Sequence, residues 1–207
     1  MSDLVLHWSP LSPFVRKVMC LVHELGLTPR VSCVRTRVAR QEPNLALMAL
    51  NPLIRIPTLE LADGTALYDS VVICEYLDSL VSDATLYPAA GPARWQALRW
   101  QALGDGLCDT LILWRHERDR PPEQRQEAML RASALKVEAS LALLERELEA
   151  LDGAAFGIGH IAIGCALGYL AVRFADLNWQ ADWPGLAQWH AAFESRPASH
   201  ATAPPSA

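Results

Sequence analysis

Apolar residues in the first part of the chain change from strand-like to helix-like spacing and back. The short apolar run Leu4–Trp8 predicts a strand. From Pro13, apolar residues recur at helical intervals as far as Leu25, and Gly26 predicts the end of that helix. The alternating stretch 30–34 predicts a second strand. A strand, a helix and a strand joined by short connections indicate a right-handed parallel βαβ unit.

The residues that follow predict a short helix, a hairpin and a second amphipathic helix. The short apolar helix at 44–52 ends before a proline. Two strand-like runs, 56–61 and 65–68, flank an Asp-Gly turn and are typical of an antiparallel hairpin. Residues 69–81 have helical spacing. The order βαβ, α, ββα predicts an α/β domain over residues 1–81, in which helices cover a small mixed sheet.

The remainder of the chain predicts an all-α domain. Residues 82–92 are the predicted linker, and residues 93–207 form the second domain. Its predicted helical segments are 93–117, 122–151, 161–174 and 184–196. The third segment is apolar on every side, which predicts a central buried helix. The tail, 197–207, is expected to be a mobile terminus or a loosely packed strap.

Composition and charge disfavour several classes of function. The chain has 207 residues, of which 51% are hydrophobic and 20% are charged, as in ordered globular proteins. A net charge of −5 disfavours nucleic acid or an anionic membrane as the main partner. No apolar run reaches the roughly 18 residues that a spanning helix needs, and the N-terminus does not have the pattern of a signal peptide.

The cysteines and histidines give no pattern of metal ligands. The five cysteines are widely spaced without a CxxC pair, and the six histidines are scattered. This distribution predicts neither a metal site nor a dithiol redox motif. We therefore expect a protein of the reducing cytoplasm, without a bound metal.

Three ordered motifs make the interpretation more specific. They are SPFVRKVMCLVHELG at 12–26, NPLIRIPTL at 51–59 and LYDSVVICEYLD at 67–78. Their order and spacing, together with the helical second half, resemble the cytosolic glutathione S-transferases over essentially the whole chain. The serine-type classes and bacterial members are the most similar. The resemblance implies a thioredoxin-like N-terminal domain that binds glutathione, an all-α domain that holds a hydrophobic electrophile, and a homodimer.

Ser12 is the candidate catalytic residue. It falls at the N-cap of the first helix, where free amide groups and the helix dipole favour negative charge. A thiol at such a position has a lowered pKa, and a serine hydroxyl can donate a hydrogen bond to the thiolate. The resemblance implies this role for Ser12 toward glutathione. The alternatives are that Ser12 only caps the helix, or that Ser9, earlier in the same loop, is the active serine.

The second and third motifs supply the candidate contacts with the glutathione backbone. The resemblance implies that the Ile56-Pro57 peptide bond is cis and that the main chain of Ile56 pairs with the cysteinyl backbone. Asp69 and Ser70 open a helix and would bind the α-ammonium and the γ-glutamyl carboxylate. An ordinary trans proline and a plain helix cap are the structural alternatives.

Two arginines are candidates for the glutathione carboxylates. Arg55 stands before Ile56, where many relatives carry a basic residue. Arg40 is the most suitable residue of a basic stretch for the glycyl carboxylate. The other members of that stretch are Arg30, Arg35 and Arg37. A solvated surface is the alternative for each of them.

The electrophile is expected to bind between the two domains. The candidates are Trp8 and Leu11, in and after the first strand, and Trp114 and Arg115, near the end of the first long helix. Packing in the helical core or across a dimer contact is the alternative interpretation of the tryptophans.

One stretch departs from the family pattern. The buried helix of these proteins usually begins with Ser or Thr, two residues and then Asp, which form a capping box. Here Gly157 is at the cap and His160 at the acidic position. The reciprocal side-chain bonds are therefore expected not to form, which would leave the start of this helix less well secured.

The resemblance implies a glutathione transferase that activates the thiolate for attack on an electrophile, with a role in detoxification. One alternative is a glutathione-dependent isomerase of the maleylacetoacetate isomerase kind, although the loop PLSPF lacks the cysteine of that group's usual motif. Another is a non-catalytic relative that binds a protein partner, like the stringent-starvation proteins. The physiological electrophile does not follow from the sequence.

Overall fold

The computed structural model describes residues 3–39, 41–82 and 86–204. Within these residues the chain forms two compact units. The first comprises the chain up to Ala89 together with residues 197–204, and the second comprises Ala90–Arg196. The division falls inside the predicted linker. None of the helices in the described part of the chain is both long and apolar enough to cross a membrane.

The first unit is built on a four-stranded mixed sheet. The strands are β1 (Leu4–Trp8), β2 (Val31–Arg35), β3 (Thr58–Glu60) and β4 (Ala66–Leu67). Their order in the sheet is β2-β1-β3-β4. β1 pairs with β2 in parallel and with β3 antiparallel, and β3 pairs with β4 antiparallel. The predicted α/β arrangement of this unit is confirmed.

Three helices accompany the sheet. They are α1 (Pro13–Glu24), α2 (Leu45–Leu50) and α3 (Ser70–Ser79), with a short 3-10 turn at Thr28–Arg30. α1 begins with proline at its first position, where the missing N–H has no effect, and ends before Gly26, whose φ of +66° suits glycine. α1 packs against α3, and Leu6, Val18 and Ile73 are fully buried in the resulting core.

The second unit is all-α, as predicted. Its helices are α4 (Gly91–Arg118), α5 (Glu127–Arg146), α6 (Leu148–Gly153), α7 (Ile158–Arg173), α8 (Trp179–Asp182) and α9 (Pro184–Glu194). Short 3-10 turns occupy Pro122–Gln124 and Ala175–Leu177. Every residue of α7 from Ile158 to Leu170 is buried, which confirms the predicted central helix.

The last described segment belongs to the first unit, whereas the sequence assigned it to the second domain. α10 (Pro197–Ala201) packs against α1. Arg16 of α1 donates from Nη2 to Ser199 Oγ at 3.0 Å, and Cys20 Sγ lies 2.9 Å from Thr202 Oγ1. Because Ser199 is only 1% exposed, the expectation of a mobile or loosely packed tail is also corrected for residues 197–204.

Candidate functional site

The first two motifs meet at one edge of the sheet. His7, near the end of β1, pairs with Thr58, the first residue of β3. The chain leaves β1 through a short loop to Ser12, and it reaches Thr58 directly from Ile56 and Pro57. The Ser12 loop and the Ile56-Pro57 segment are therefore neighbours at the carboxyl end of β1.

The third motif reaches the same edge through β4. Leu67, at the end of β4, pairs with Leu59, near the start of β3. The chain then passes straight to Asp69 and Ser70 at the start of α3. The N-termini of α1 and α3 thus lie at one edge of the sheet, and both favour negative charge.

Ser12 is the N-cap of α1, as predicted. Its Oγ accepts a hydrogen bond from the N–H of Val15 at 3.3 Å, and its carbonyl accepts one from the N–H of Arg16 at 3.0 Å. The bond from Val15 uses a lone pair of the hydroxyl and leaves the proton for another acceptor. Capping the helix and donating to a thiolate are therefore compatible, and the catalytic role of Ser12 stays a prediction.

Ser9 shapes the loop before the helix. Its Oγ accepts from the N–H of Leu11 at 3.4 Å, and its carbonyl accepts from the N–H of Ser12 at 3.2 Å. The two serines thus have different local roles, because the hydroxyl of Ser12 caps the helix and that of Ser9 bonds within the loop.

The Ile56-Pro57 peptide bond is cis, as predicted. The side chain of Ile56 forms one apolar cluster with Val15 of α1 and Leu47 of α2. Trp8, Met19 and Ile54 pack against this cluster. The cluster fixes the first turn of α1 against the segment that carries Ile56.

Asp69 and Ser70 begin α3, as predicted. The Asp69 carboxylate accepts from the N–H of Val71 at 2.9 Å through Oδ1, which makes Asp69 the N-cap. Asp69 is exposed, whereas Ser70 is buried. A second cis peptide bond joins Tyr68 to Asp69.

The candidate arginines have different surroundings. Arg55 is exposed beside Ile56, and Arg40 lies outside the residues that the structure describes. Arg30 forms an ion pair with Asp3 at 2.6 Å, and its guanidinium lowers the pKa of that carboxyl. Arg37 pairs with Glu42 at 3.3 Å with both side chains largely exposed, as expected for a solvated surface.

The four electrophile candidates divide between the units. In the first unit, Trp8 packs against the Ile56 cluster and Leu11 is 49% exposed. In the second unit, Trp114 is buried against Phe174, with ring centroids 5.0 Å apart. Arg115 is half-buried, with Nη2 3.2 Å from His116 Nε2. Trp114 therefore belongs to the helical core, and the pocket role of all four residues stays a prediction.

The start of α7 corrects the expectation about the capping box. The N–H of Gly157 donates to His160 Nδ1 at 3.2 Å, so one of the two reciprocal bonds does form, with imidazole in place of a carboxylate. The other is missing because glycine has no side chain. Since Nδ1 accepts, Nε2 carries the proton and donates to the Leu151 carbonyl at 3.0 Å. Burial lowers the pKa of His160, which favours this neutral form.

Two fully buried polar residues were not singled out from the sequence. Asn51 and Thr58 lie on either side of the Ile56 segment, and both are 0% exposed. In the described part of the chain, no group of three or more His, Cys, Asp or Glu side chains is placed to hold a metal ion.

Comparison with known proteins agrees with this geometry. The family model described as glutathione S-transferase, N-terminal domain, matches residues 11–80, and the corresponding C-terminal domain model matches 124–192. The uncharacterized GST-like protein YibF of Escherichia coli K12 is 30% identical over 95% of this chain and 96% of its own length.

Solved structures of glutathione transferases are also similar to this chain. A glutathione transferase family member from Pseudomonas fluorescens Pf-5 with bound glutathione is 43% identical, with a TM-score of 0.94, and covers 98% of this chain and 99% of its own. A glutathione S-transferase from Methylobacillus flagellatus with glutathione bound is 35% identical, with a TM-score of 0.87, and covers 98% and 100%.

Proposed function

We propose that this chain, which belongs to the glutathione S-transferase family, binds glutathione and activates its thiol for attack on an electrophile. The observation that carries the proposal is the edge of the sheet where Ser12, Ile56 and Asp69 come together with two helix N-termini. The glutathione-bound relatives from Pseudomonas and Methylobacillus support it.

The γ-glutamyl part of glutathione binds at the start of α3 in this proposal. Its carboxylate takes hydrogen bonds from the Ser70 backbone and hydroxyl, assisted by the helix dipole. Its α-ammonium faces the exposed carboxylate of Asp69. The cysteinyl backbone pairs with the main chain of Ile56, as an added strand would. Arg55, or Arg40, faces a carboxylate of the ligand.

The cysteinyl thiol then lies near the N-terminus of α1, which makes this a serine-type enzyme. The Ser12 hydroxyl donates its proton to the thiolate while its lone pair keeps the bond from Val15. Lowering the thiol pKa by two units requires about 2.7 kcal/mol of differential stabilisation. One charge-assisted hydrogen bond and a helix terminus together supply energies of that order.

The wider role is part of the same proposal. The protein acts in the cytoplasm as a homodimer that detoxifies hydrophobic electrophiles. Trp8 and Leu11 in the first unit, and Trp114 and Arg115 in the second, are its candidates for contact with the electrophile. None of the five cysteines, all of which lie in the described part of the chain, forms a disulfide, which agrees with a reducing compartment.

Calorimetric titration with glutathione tests the binding part of the proposal. Asp69→Asn keeps a side chain that caps helices well but removes the charge that faces the α-ammonium, so we expect roughly fivefold weaker binding. Asp63→Asn is the matched control, because the Asp63 carboxylate, like that of Asp69, accepts from the N–H two residues further on, here Thr65 in the hairpin turn. Equal affinities in all three proteins would contradict the assignment of Asp69.

Absence of binding to the wild type would contradict the proposal itself. Binding of glutathione without turnover of any electrophile would favour a partner-binding relative.

A further inference from the structure

The side chain of Asn51, just after α2, is fully enclosed and makes three hydrogen bonds. Its Nδ2 donates to the Arg55 carbonyl at 3.2 Å and to Thr58 Oγ1 at 2.9 Å. Its Oδ1 accepts from the N–H of Leu53 at 3.0 Å. A buried amide is tolerated only when it is hydrogen-bonded, and all three bonds lead to the segment 53–58.

Thr58 completes the network from the other end of that segment. Its Oγ1 donates to the Arg55 carbonyl at 2.8 Å and accepts from Asn51. A carbonyl oxygen has two lone pairs, so the Arg55 carbonyl can accept from both buried side chains. Asn51 and Thr58 thus both hold the same peptide oxygen, that of Arg55, in place.

This oxygen determines the direction of the next N–H. The Arg55 carbonyl and the Ile56 N–H belong to the same planar peptide group, which is trans, so they point in opposite directions. Because the carbonyl is turned toward the buried side chains of Asn51 and Thr58, the N–H of Ile56 is turned away from them. The network therefore sets the orientation of a main-chain donor that is proposed to contact the ligand.

The backbone before Ile56 also depends on Asn51. Ile54 has a φ of +50°, a conformation that β-branched residues rarely adopt. It is held there by the hydrogen bond from its N–H to the Asn51 carbonyl at 2.9 Å and by the packing of its side chain on the apolar cluster of Ile56. Backbone in such a conformation persists only where its surroundings determine it.

We infer that Asn51 and Thr58 are positioning residues, which hold the main chain of Ile56 in the orientation that binds the cysteinyl backbone of glutathione. They act through Arg55 and Ile56 and do not touch the ligand. This inference rests on the proposed function, since it explains how the glutathione site is built.

A pair of substitutions at Thr58 tests the inference. Thr58→Val keeps the shape of the side chain but removes both hydrogen bonds of the hydroxyl, and Thr58→Ser keeps the hydroxyl. We expect Thr58→Val to bind glutathione roughly tenfold more weakly, because the peptide group is no longer held, and Thr58→Ser to bind within about twofold of the wild type. The pKa of the bound thiol should be the same in all three proteins, since Ser12 and α1 are unchanged.

The outcomes separate the inference from the proposed function. If the wild type does not bind glutathione, the proposed function fails. If it binds, and Thr58→Val is folded by its melting curve and binds equally well, the positioning role is wrong. A thiol pKa that shifts together with the affinity would also contradict the inference, because it would indicate a general disturbance of the site.

A second variant covers the case in which Thr58→Val does not fold. Asn51→Ser can still accept from the N–H of Leu53 but is too short to reach the Arg55 carbonyl and Thr58. It should show the same loss of affinity with an unchanged thiol pKa. Wild-type affinity in a folded Asn51→Ser protein would overturn the inference.

Discussion

Ser12 can have two roles because the two roles use different parts of its hydroxyl group. In the first turn of α1, Pro13 has no N–H, and the N–H of Val15 is bonded to Ser12 Oγ. This leaves the N–H of Phe14 as the first-turn donor that Ser12 does not occupy. The helix terminus therefore offers few direct hydrogen bonds to an anion. The hydrogen bond from the Ser12 hydroxyl is then the more important source of stabilisation for a thiolate.

His160 shows how one residue can make helix stability depend on pH. Its Nδ1 accepts from Gly157 only while the ring is neutral. Burial is the main cause that lowers its pKa, and the charge of Arg196 adds to it, whereas the hydrogen bond to the Leu151 carbonyl and the charge of Asp152 oppose it. The stabilisation of the folded protein by the neutral His160 ring is fully present above about pH 6.5, the pKa of histidine in an unfolded chain. It is lost as the pH falls toward the lower pKa of the folded state, because the unfolded chain binds the proton more readily.

Urea unfolding between pH 7.5 and pH 5 measures this effect. His160→Asn is the comparison, since its amide oxygen can accept from Gly157 without titrating. The free energy of unfolding of the wild type should fall more steeply than that of the variant, by about 1.4 kcal/mol for each unit that separates the folded and unfolded pKa values. Parallel profiles for the two proteins would show that His160 does not carry the pH dependence.

The helix caps at Ser12 and Asp69 could be predicted from local signals, and the cis bond after Ile56 from the family resemblance. Neither kind of signal indicated Asn51 or Thr58. A buried amide has no periodic signature, and the bonds of Asn51 depend on the path of the backbone through residues 53–58. A polar residue that follows an apolar helix and precedes a proline was the one available hint.

At the scale of elements, the distance between α4 and α7 depends on glycines at their contact, Gly104 of α4 and Gly159 of α7. A Cβ atom at Gly104 of α4 would come within 2.5 Å of the carbonyl carbon of Ala162 in α7. The obstacle is backbone, which cannot move aside as a flexible side chain does. The two helices are therefore packed as closely as a glycine allows.

The matched pair Gly104→Ala and Gly106→Ala tests this close contact. Both glycines lie in α4, but a Cβ at Gly106 has no neighbour within 4 Å. Gly104→Ala should lower the free energy of unfolding by about 1–3 kcal/mol, because the helices must separate. Gly106→Ala should be neutral or stabilising by up to about 1 kcal/mol, since alanine favours the helix. Chemical denaturation of both variants is the measurement, and similar values for the two would refute the packing argument.

The hydrophobic pattern predicted the main helical segments of the second unit, but not α8, the break between α5 and α6, or how the helices secure one another. Glu145 of α5 accepts hydrogen bonds from the N–H groups of Gly185 and Leu186 at 3.1 and 2.6 Å, and so caps α9 from a different helix. A cap supplied from forty residues away has no local sequence signal. Bonds of this kind become visible only when the helices are packed.

At the scale of the whole molecule, the division into two units followed from the sequence, but the position of residues 197–204 in the first unit did not. The tail is rich in Pro, Ala and Ser, which is typical of a loose terminus. A helix as short as α10 has little stability of its own and depends on packing, here against α1 and the buried Arg16. The helix that carries Ser12 at its start is therefore also the surface on which α10 packs.

The most direct test of the account is the thiolate absorbance of bound glutathione as a function of pH. It should be measured for the wild type, Ser12→Ala and Ser9→Ala, each checked for folding by its melting curve. We expect the bound thiol of the wild type and of Ser9→Ala to have a pKa well below that of free glutathione, and Ser12→Ala to lose most of this shift. An unshifted thiol in the wild type, or a shift that survives in Ser12→Ala, would show that Ser12 only caps its helix and would contradict the proposed activation of the thiol.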